Sequence, residues 1–394
     1  MSFDVEQARA DTPGCADVAY LNNAGASLPP TVVLETVVEH LRLEARVGGY
    51  VAADLVAERL ADVRRSVARL VGASPDEIAF AENASRAWGT GLAALGPALR
   101  PGDRILVSHS EYGGNVVAAL HLAERTGARV EVVPDDEDGA LSVSALATML
   151  DDRVRAVAVS WVPTQGGLVN PVGRVGELLR GHGAAYLVDA TQAVGQLAVD
   201  VDEVGCDLLC ATGRKYLRAP RGTGFLYVRR EWIERLDPPV LDVHGAPWIA
   251  TDRYELLADA RRFETWETSV ANRLGLGAAA DYALAWGPAA IESRVRRLGA
   301  ALRDRLDTVP GLRLLDLGTD HAALVSFTVA GIEAHDLAAH LRGAGVTVGV
   351  STVDFARLDL EARGLDALVR ASPHYYNRED ELDRLAAAIE ARRP

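Results

Sequence analysis

The amino-acid sequence predicts an α/β fold with a mainly parallel central sheet and a smaller α+β C-terminal domain. Over the first part of the chain, short and nearly continuous apolar runs alternate with helical patterns of about ten residues, as in sheets buried on both faces. After Trp248, longer helical stretches precede a few short strands. At 394 residues the chain is long enough that two domains are the natural expectation.

The alternating part of the chain gives the order of its elements. Predicted strands lie at residues 103–110, 128–134, 154–162, 184–190, 207–213 and 224–230. Helical patterns at residues 115–127, 142–152 and 173–183 separate the first four of them. Ligands of such sheets gather at the carboxyl ends of the strands, so we expect functional side chains directly after these runs.

The C-terminal part has a different pattern. Helices are predicted at residues 272–287, 290–309 and 379–393, and short strands at 323–329 and 346–350. We therefore expect three segments: an N-terminal arm (1–20) that packs with the small domain, a large ligand-binding domain (21–255) and the small domain (256–394).

Composition excludes several classes of function. The net charge of −14 argues against nucleic acid or an anionic membrane as the main partner. No apolar run has the length of a membrane span, and the polar N-terminus lacks the core of a signal peptide, so a cytoplasmic location is expected. Cys15, Cys206 and Cys210 lack zinc-ligand spacing, so we expect buried free thiols and no metal.

Lys215, in CATGRKYLRAPRGTGFLYV, is the single lysine among 41 lysine and arginine residues. A guanidinium stays protonated at physiological pH, whereas a desolvated amine can lose its proton and form an imine with a carbonyl compound. A stray lysine in an arginine-biased sequence is the alternative, and the neighbouring segments have to decide between the two.

Other candidate residues also follow predicted strands. Asp189 ends the run AAYLVDA, where its carboxylate can hold a ring nitrogen protonated; a helix cap or turn former is the alternative. Ala84 and Ser85 open a helical run whose N–H groups can face a phosphate, although Ser85 also suits an ordinary cap. Thr212 and Arg214, just before the lysine, can add a hydroxyl and a charge, although a solvated surface arginine is common.

Tyr112 stands in a glycine-bordered loop, SHSEYGGNVVA, after another strand. An aromatic ring there can lie over a cofactor, and its phenol can exchange a proton. A half-buried packing tyrosine is the alternative.

Together these segments resemble the fold-type I enzymes that depend on pyridoxal 5′-phosphate (PLP), within them the class V aminotransferases and cysteine desulfurases. The likeness runs from YLNNAGASLPP at residue 20 to VRASPHYYNREDELDRL near the end. It implies that Lys215 binds the cofactor covalently, that Asp189 pairs with the pyridine nitrogen and that both are catalytic together with Tyr112. The other cofactor contacts that it implies are Ala84, Ser85, Thr164, Gln192, Thr212 and Arg214.

The resemblance also implies a substrate site. Arg370, in LVRASPHYYN, matches the arginine that grips the α-carboxylate, and a bidentate guanidinium suits that role. Tyr50, Ala24 and Gly25 are further substrate-binding candidates, with core or turn roles as alternatives. Enzymes of this type complete each site from a second subunit, so a homodimer is expected.

Two departures from the desulfurase pattern narrow the predicted activity. VTVGVSTVDFARLDL has no cysteine where desulfurases carry the mobile one that accepts sulfur, so persulfide chemistry is not expected. Glu267 and Thr268 replace the usual Gly-Thr turn, whose threonine reaches the phosphate of the partner subunit, so that contact is not implied here.

Within the group, the chain is similar to hercynylcysteine sulfoxide lyases and to enzymes acting on cysteine S-conjugates in lincosamide pathways. The expected activity is therefore β-elimination from an S-substituted cysteine, a small-molecule substrate, in sulfur-containing secondary metabolism. Transamination, decarboxylation-coupled deamination and epimerisation share the early steps and stay open, as does a relic of the fold without catalysis.

Overall fold

The computed structural model of the chain describes residues 3–392. Residues 1–2 of the predicted segment 1–20 and residues 393–394 of the predicted segment 256–394 lie outside this range. The bounds of the three segments stay a prediction.

Between residues 104 and 189 strands and helices alternate in the expected order. The α-helices are α1 (Val5–Ala10), α2 (Thr31–Val47), α3 (Gly49–Leu55), α4 (Ala57–Leu70), α5 (Ala84–Ala93), α6 (Gly113–Thr126), α7 (Val143–Met149), α8 (Val172–Leu179), α9 (Val201–Val204), α10 (Arg230–Ile233), α11 (Val270–Trp286), α12 (Pro288–Asp307), α13 (Ala334–Gly343), α14 (Arg357–Ala362) and α15 (Glu379–Ala391). The strands are β1 (Ala19–Tyr20), β2 (Ile78–Ala81), β3 (Arg104–Ser108), β4 (Arg129–Val133), β5 (Val154–Ser160), β6 (Ala185–Asp189), β7 (Leu208–Thr212), β8 (Gly224–Val228), β9 (Trp248–Ala250), β10 (Arg253–Tyr254), β11 (Leu312–Leu314), β12 (Val325–Val329), β13 (Val346–Thr347), β14 (Gly349–Thr352) and β15 (Ala367–Ala371).

The central sheet has seven strands in the order β2-β8-β7-β6-β5-β3-β4. All neighbours from β7 to β4 are parallel, while β8 is antiparallel to both β7 and β2. The predicted α/β fold with a mainly parallel central sheet is confirmed.

Both faces of this sheet are buried, which explains its continuous apolar runs. Along β5, Val157 and Val159 belong to one core cluster, whereas Ala156 and Ala158 belong to another on the opposite face. Alternate residues of a strand point to opposite sides, so a strand covered on both sides loses its polar positions.

The C-terminal part contains a four-stranded antiparallel sheet in the order β11-β12-β15-β14. Strand β1 pairs with β13 in parallel, which ties the N-terminal segment to this part of the molecule. Helix α11 packs against α2 and α4, and β9 and β10 form a separate antiparallel hairpin. Within residues 3–392, every helix is too short or too polar to cross a bilayer.

Candidate active site

A cavity of about 510 Å³ opens at the carboxyl edge of the seven-stranded sheet, where β5, β6 and β7 end. The nine predicted cofactor contacts all line it: Ala84, Ser85, Tyr112, Thr164, Asp189, Gln192, Thr212, Arg214 and Lys215. They come from segments far apart in sequence that the parallel sheet brings to one edge. The cavity therefore lies where the loops after the strands predict a ligand site.

Lys215 lies in the turn after β7, with its side chain buried in the cavity wall. Burial lowers the pKa of its amine from 10.5 to about 7, and the guanidinium groups of Arg370 and Arg214 add to the effect. Asp189 acts in the opposite direction but contributes less. A large fraction of the amine is therefore neutral at physiological pH, as a nucleophile or base requires.

Asp189 is the last residue of β6, and its two carboxylate oxygens are held separately. One accepts a hydrogen bond from the Asn115 amide at 2.7 Å, and the other accepts from the backbone N–H of Thr191 at 2.8 Å. The side chain is buried at the cavity wall. It is thus a fixed acceptor, suited to bind a protonated ring nitrogen.

The N-terminus of α5 forms one end of the cavity. Asn83 caps this helix by accepting from the backbone N–H of Arg86 at 2.9 Å, and Ala84 and Ser85 follow in the first turn. Gly224 of β8 is essential to this packing, because a Cβ there would lie 2.8 Å from the backbone of Asn83. First-turn N–H groups and the helix dipole favour an anion here.

Two guanidinium groups add positive charge to the cavity. Arg214 donates to the backbone oxygen of Gly25, and burial lowers its pKa, with a further contribution from Arg221. Arg221 also lines the cavity and has no carboxylate within ion-pair distance in residues 3–392. Such a pair next to a helix N-terminus suits a phosphate group.

Arg370, on β15, reaches the same region from the C-terminal sheet. One of its terminal nitrogens donates to both the backbone and the hydroxyl oxygen of Thr164, at 2.6 Å each. Its Nε is buried without a partner in the described chain, and burial lowers its pKa to about 10. Gly349 faces it with no side chain, since a Cβ there would lie 3.0 Å from Nε. Arg370 therefore keeps a free donor for a carboxylate.

Tyr112 precedes α6 and lines the cavity. Its ring stacks on Phe355, with centroids 6.3 Å apart and an interplanar angle of 7°. The two segments touch closely, because a Cβ on Gly113 would lie only 2.4 Å from the backbone oxygen of Asp354. The loop between β14 and α14 thus fixes the plane of the Tyr112 ring.

The cavity has the polar atoms that a PLP molecule would satisfy. Thr191 Oγ1 and Gln192 Oε1 line it, are buried and have no hydrogen-bond partner in the described part of the chain. Buried polar atoms are rarely left unpaired, so these atoms point to a polar ligand. The Lys215 amine, the Asp189 carboxylate and an anion cradle surround the same cavity; by anion cradle we mean the first turn of α5 together with Arg214 and Arg221. These groups suit the aldehyde, the ring nitrogen and the phosphate of PLP, respectively.

Comparison with known proteins agrees with this geometry. The family model of the class V aminotransferases matches residues 19–385. The chain belongs to the class V aminotransferase family. A probable cysteine desulfurase of Methanothermobacter thermautotrophicus is 31% identical over 391 residues, which cover 98% of this chain and 97% of that protein.

Solved structures give the same result for the fold. The apo cysteine desulfurase of Thermococcus onnurineus NA1 has a TM-score of 0.91 at 28% identity, covering 99% of this chain and 98% of that one. A structure of C-DES, with glycine covalently linked to its PLP cofactor, has a TM-score of 0.86 at 23% identity, covering 97% and 98%. The predicted cofactor is confirmed: this class V enzyme depends on PLP.

The predicted substrate contacts of this class V enzyme fall in two places. Ala24 and Gly25 do not line the cavity themselves but contact two residues that do: the backbone oxygen of Ala24 accepts from Gln192 at 3.1 Å, and that of Gly25 accepts from Arg214. Tyr50 does not line the cavity, and 79% of its surface is exposed. A substrate role for Tyr50 therefore stays a prediction.

Sequence reasoning missed several cavity residues, namely Glu82, Asn115, Ser160, Val162, Thr191, Arg221 and Gly222. Thr191 lies between the predicted residues Asp189 and Gln192, so its position was readable from the segment DATQ. Ser160 and Asn115 gave no such signal, because their importance comes from contacts across the sheet.

Glu267 and Thr268 lie beside the main cavity rather than in it. They line a small adjoining cleft together with Glu82 and Gly222, two residues that also line the main cavity. The segment that departs from the desulfurase pattern is therefore next to the anion cradle.

Arg218 fixes the turn that carries the lysine. Its backbone N–H donates to the Lys215 oxygen at 2.9 Å, and its φ of 64° is a left-handed conformation. The buried guanidinium donates to the Leu28 oxygen at 2.9 Å, to the Tyr375 hydroxyl at 2.7 Å and to the Thr12 hydroxyl. The lysine turn is thus tied to segments from both ends of the chain.

Proposed function

We propose that the protein is a PLP-dependent C–S β-lyase. It cleaves an S-substituted cysteine, either a thioether or a sulfoxide conjugate, to a thiol or sulfenate product, pyruvate and ammonia, in sulfur-containing secondary metabolism. Family membership supports C–S cleavage chemistry. The observation that carries the finer proposal is that the cavity has groups suited to bind an amino acid and PLP but is lined by no cysteine of residues 3–392.

The three cysteines are buried, and none lines the cavity. Cys210 is adjacent to Asp189 across the sheet, but burial and the negative charge of Asp189 raise the pKa of its thiol well above 9.0. Burial also raises the pKa of Cys15, to about 11. Since a thiolate is needed to accept sulfur, these residues are unsuited to form a persulfide. The sulfur therefore leaves with its substituent.

The α-carboxylate of the substrate would bind at Arg370. Its free Nε and a terminal nitrogen can form a bidentate contact, while the hydrogen bonds to Thr164 hold the guanidinium in place. No carboxylate of residues 3–392 pairs with Arg370. The clamp fixes the orientation of Cα relative to Lys215 and so determines which of its bonds reacts.

PLP supplies the electron sink for the pair released at Cα. The substrate amine displaces Lys215 from the cofactor, and the freed Lys215 amine, with its pKa near 7, takes the Cα proton. The electron pair of the broken Cα–H bond becomes that of the Cα–Cβ double bond. The Cβ–S pair leaves with sulfur, and the Tyr112 hydroxyl donates a proton to the departing atom. The released aminoacrylate reacts with water to give pyruvate and ammonia.

A panel of S-substituted L-cysteines incubated with the holoenzyme tests the proposal. We expect stoichiometric pyruvate, ammonia and thiol, with no activity in Lys215→Ala. Lys215→Arg is the matched control for charge, because it keeps a cation but cannot bind the cofactor covalently. Accumulation of aminated cofactor, release of carbon dioxide or inversion at Cα, each without pyruvate, would refute the lyase and identify a transaminase, a deaminase or an epimerase.

We further propose that the enzyme is a homodimer. The hairpin patch, which we define as Trp248, Ile249, Tyr254 and Trp266, is largely exposed, with 68% of the Trp248 surface open. The backbone N–H of Trp266 donates to Asp242 at 2.6 Å, which links the patch to the loop before the hairpin. Trp266 also directly precedes Glu267, beside the anion cradle.

Exposed aromatic side chains in this number indicate an interface. Trp248→Arg should shift the sedimentation coefficient from dimer to monomer, whereas Val117→Arg on α6, also exposed, should not. A wild-type chain that sediments as a monomer contradicts the proposal.

A further inference from the structure

Glu111 is a buried carboxyl group directly behind the cavity, 1% exposed and not among the residues that line it. One oxygen accepts from the Tyr112 backbone N–H at 3.0 Å, the Asn115 amide at 2.9 Å and the Ser160 hydroxyl at 2.5 Å. The other accepts from the Ser108 hydroxyl at 2.9 Å and the Ser160 backbone N–H at 2.9 Å. Five donors hold this side chain, and none of them is a cation.

Such a donor set favours the ionised carboxylate, because each of its oxygens accepts from a backbone N–H group, which can only donate. Burial and the nearby charge of Asp189 work in the other direction and raise the pKa of Glu111. The chain thus uses five hydrogen bonds to keep a second carboxylate close to Asp189. Any buried carboxylate needs hydrogen bonds, but at Glu111 one of the donors, Asn115, also binds Asp189.

Asn115 connects the two carboxylates. Its amide nitrogen donates to Glu111 at 2.9 Å and to Asp189 at 2.7 Å. Both neighbours can only accept when ionised, so the NH₂ side of the amide must face them. Removing the charge of Glu111 would weaken its contact with Asn115 and free the amide to turn away from Asp189.

The connected residues come from three parts of the fold. Glu111 is in the loop after β3, Asn115 is in the first turn of α6, and Ser160 ends β5. Ser160 is directly opposite Asp189 in the pairing of β5 with β6. The network therefore joins the strands on both sides of β5 into one support for Asp189.

We propose that Glu111 is a positioning residue for the protonated ring nitrogen of the cofactor. Through the Asn115 amide it orients Asp189, and its negative charge strengthens the attraction of Asp189 for the ring N–H. The inference rests on the cofactor and on the position of Asp189, and it holds for any of the reactions considered above.

The test compares wild type, Glu111→Gln and Ser108→Ala, each reconstituted with PLP labelled with ¹⁵N in the ring. Glu111→Gln keeps the size of the side chain and removes its charge. Ser108→Ala removes one of the five hydrogen bonds but leaves the charge and the Asn115 contact intact. The ¹⁵N chemical shift of the resting holoenzyme reports the protonation of the ring nitrogen without any turnover.

We expect the signal of Glu111→Gln to move toward the unprotonated position, while Ser108→Ala keeps the wild-type value. Exchange of the Cα proton of S-methyl-L-cysteine with D₂O should slow roughly tenfold or more in Glu111→Gln, the scale typical of a lost outer-shell partner. Neither readout requires C–S cleavage, so failure of the lyase proposal and failure of this one are distinguishable.

An unchanged ¹⁵N signal in Glu111→Gln overturns the inference, and so does an equal change in Ser108→Ala. Where Glu111→Gln does not accumulate as folded protein, Asn115→Ala takes its place in the same comparison. A wild-type ¹⁵N signal in Asn115→Ala likewise overturns the inference.

Discussion

Replacing Lys215 with methionine is expected to stabilise the cofactor-free protein at neutral pH. Burial and two guanidinium groups lower the pKa of this amine from 10.5 to about 7, so folding opposes its charge. The difference corresponds to at most about 5 kcal/mol, because one pKa unit is equivalent to about 1.4 kcal/mol. Methionine keeps an unbranched side chain in the cavity wall without a titrating group.

The effect has a defined pH dependence. Below a pH of about 7 the folded protein carries the buried charge, and the destabilisation is fully present. Between pH 7 and 10.5 the unfolded chain binds more protons than the folded one, so wild-type stability rises relative to the variant. The advantage of Lys215→Met should therefore fade as the pH approaches 10.5.

Urea unfolding of the two apo-proteins, at one protein concentration and several pH values, measures the difference in unfolding free energy. Because Lys215 is the single lysine, no other lysine side chain contributes to the comparison. Arg86→Met is the control: this exposed guanidinium stays protonated, so its effect should be constant. A Lys215→Met difference that does not change with pH, or a wild type that is the more stable at pH 7, refutes the reasoning.

Three other substitutions test the site and its support. Arg370→Lys should raise KM for the conjugate on the order of tenfold with a smaller change in kcat, since an ammonium loses the bidentate contact; an unchanged KM contradicts the clamp. Glu264 is buried, which opposes its ionisation, yet the His244 ring at 3.4 Å and the Arg64 guanidinium, which donates a hydrogen bond at 2.7 Å, lower its pKa from 4.5 to about 2. Its ionised form therefore contributes about 3 kcal/mol above pH 4.5 that is lost as the pH falls toward 2. Glu264→Gln should lower the unfolding free energy at pH 7 and converge with wild type in acid, and a gap independent of pH contradicts the assignment. Gly113→Ala should destabilise the protein by about 1–3 kcal/mol in urea, because its Cβ would meet a backbone oxygen of the facing loop; wild-type stability would show that the loop yields freely.

Much of the fold is encoded locally and was therefore predictable. The runs that became β5 and β6 are apolar at nearly every position, which strands of a doubly covered sheet require. The hairpin of β9 and β10 was not predicted, because its side chains are exposed and give no alternating pattern. Its sequence shows aromatic residues without showing what they contact.

The site residues that could be predicted are those whose residue type is rare in this sequence or that stand at the end of a predicted strand. A single lysine and an aspartate at a strand end gave Lys215 and Asp189, and the structure brings both to one cavity. Glu111 was missed because an acidic residue beside Tyr112 looks like an ordinary loop residue. Its contact with Ser160 spans 49 positions, and the contact of Asn115 with Asp189 spans 74, separations at which local patterns carry no information.

The ties of Arg218 have a consequence for biosynthesis. Thr12 and Leu28 are synthesised before the turn that carries Lys215, whereas Tyr375 follows Arg218 by 157 positions. The turn that holds the reactive amine therefore cannot acquire its full set of restraints until Tyr375 has left the ribosome. Cofactor capture in its final geometry has to wait for that segment, so a truncated chain lacking this tyrosine would have its lysine incompletely anchored.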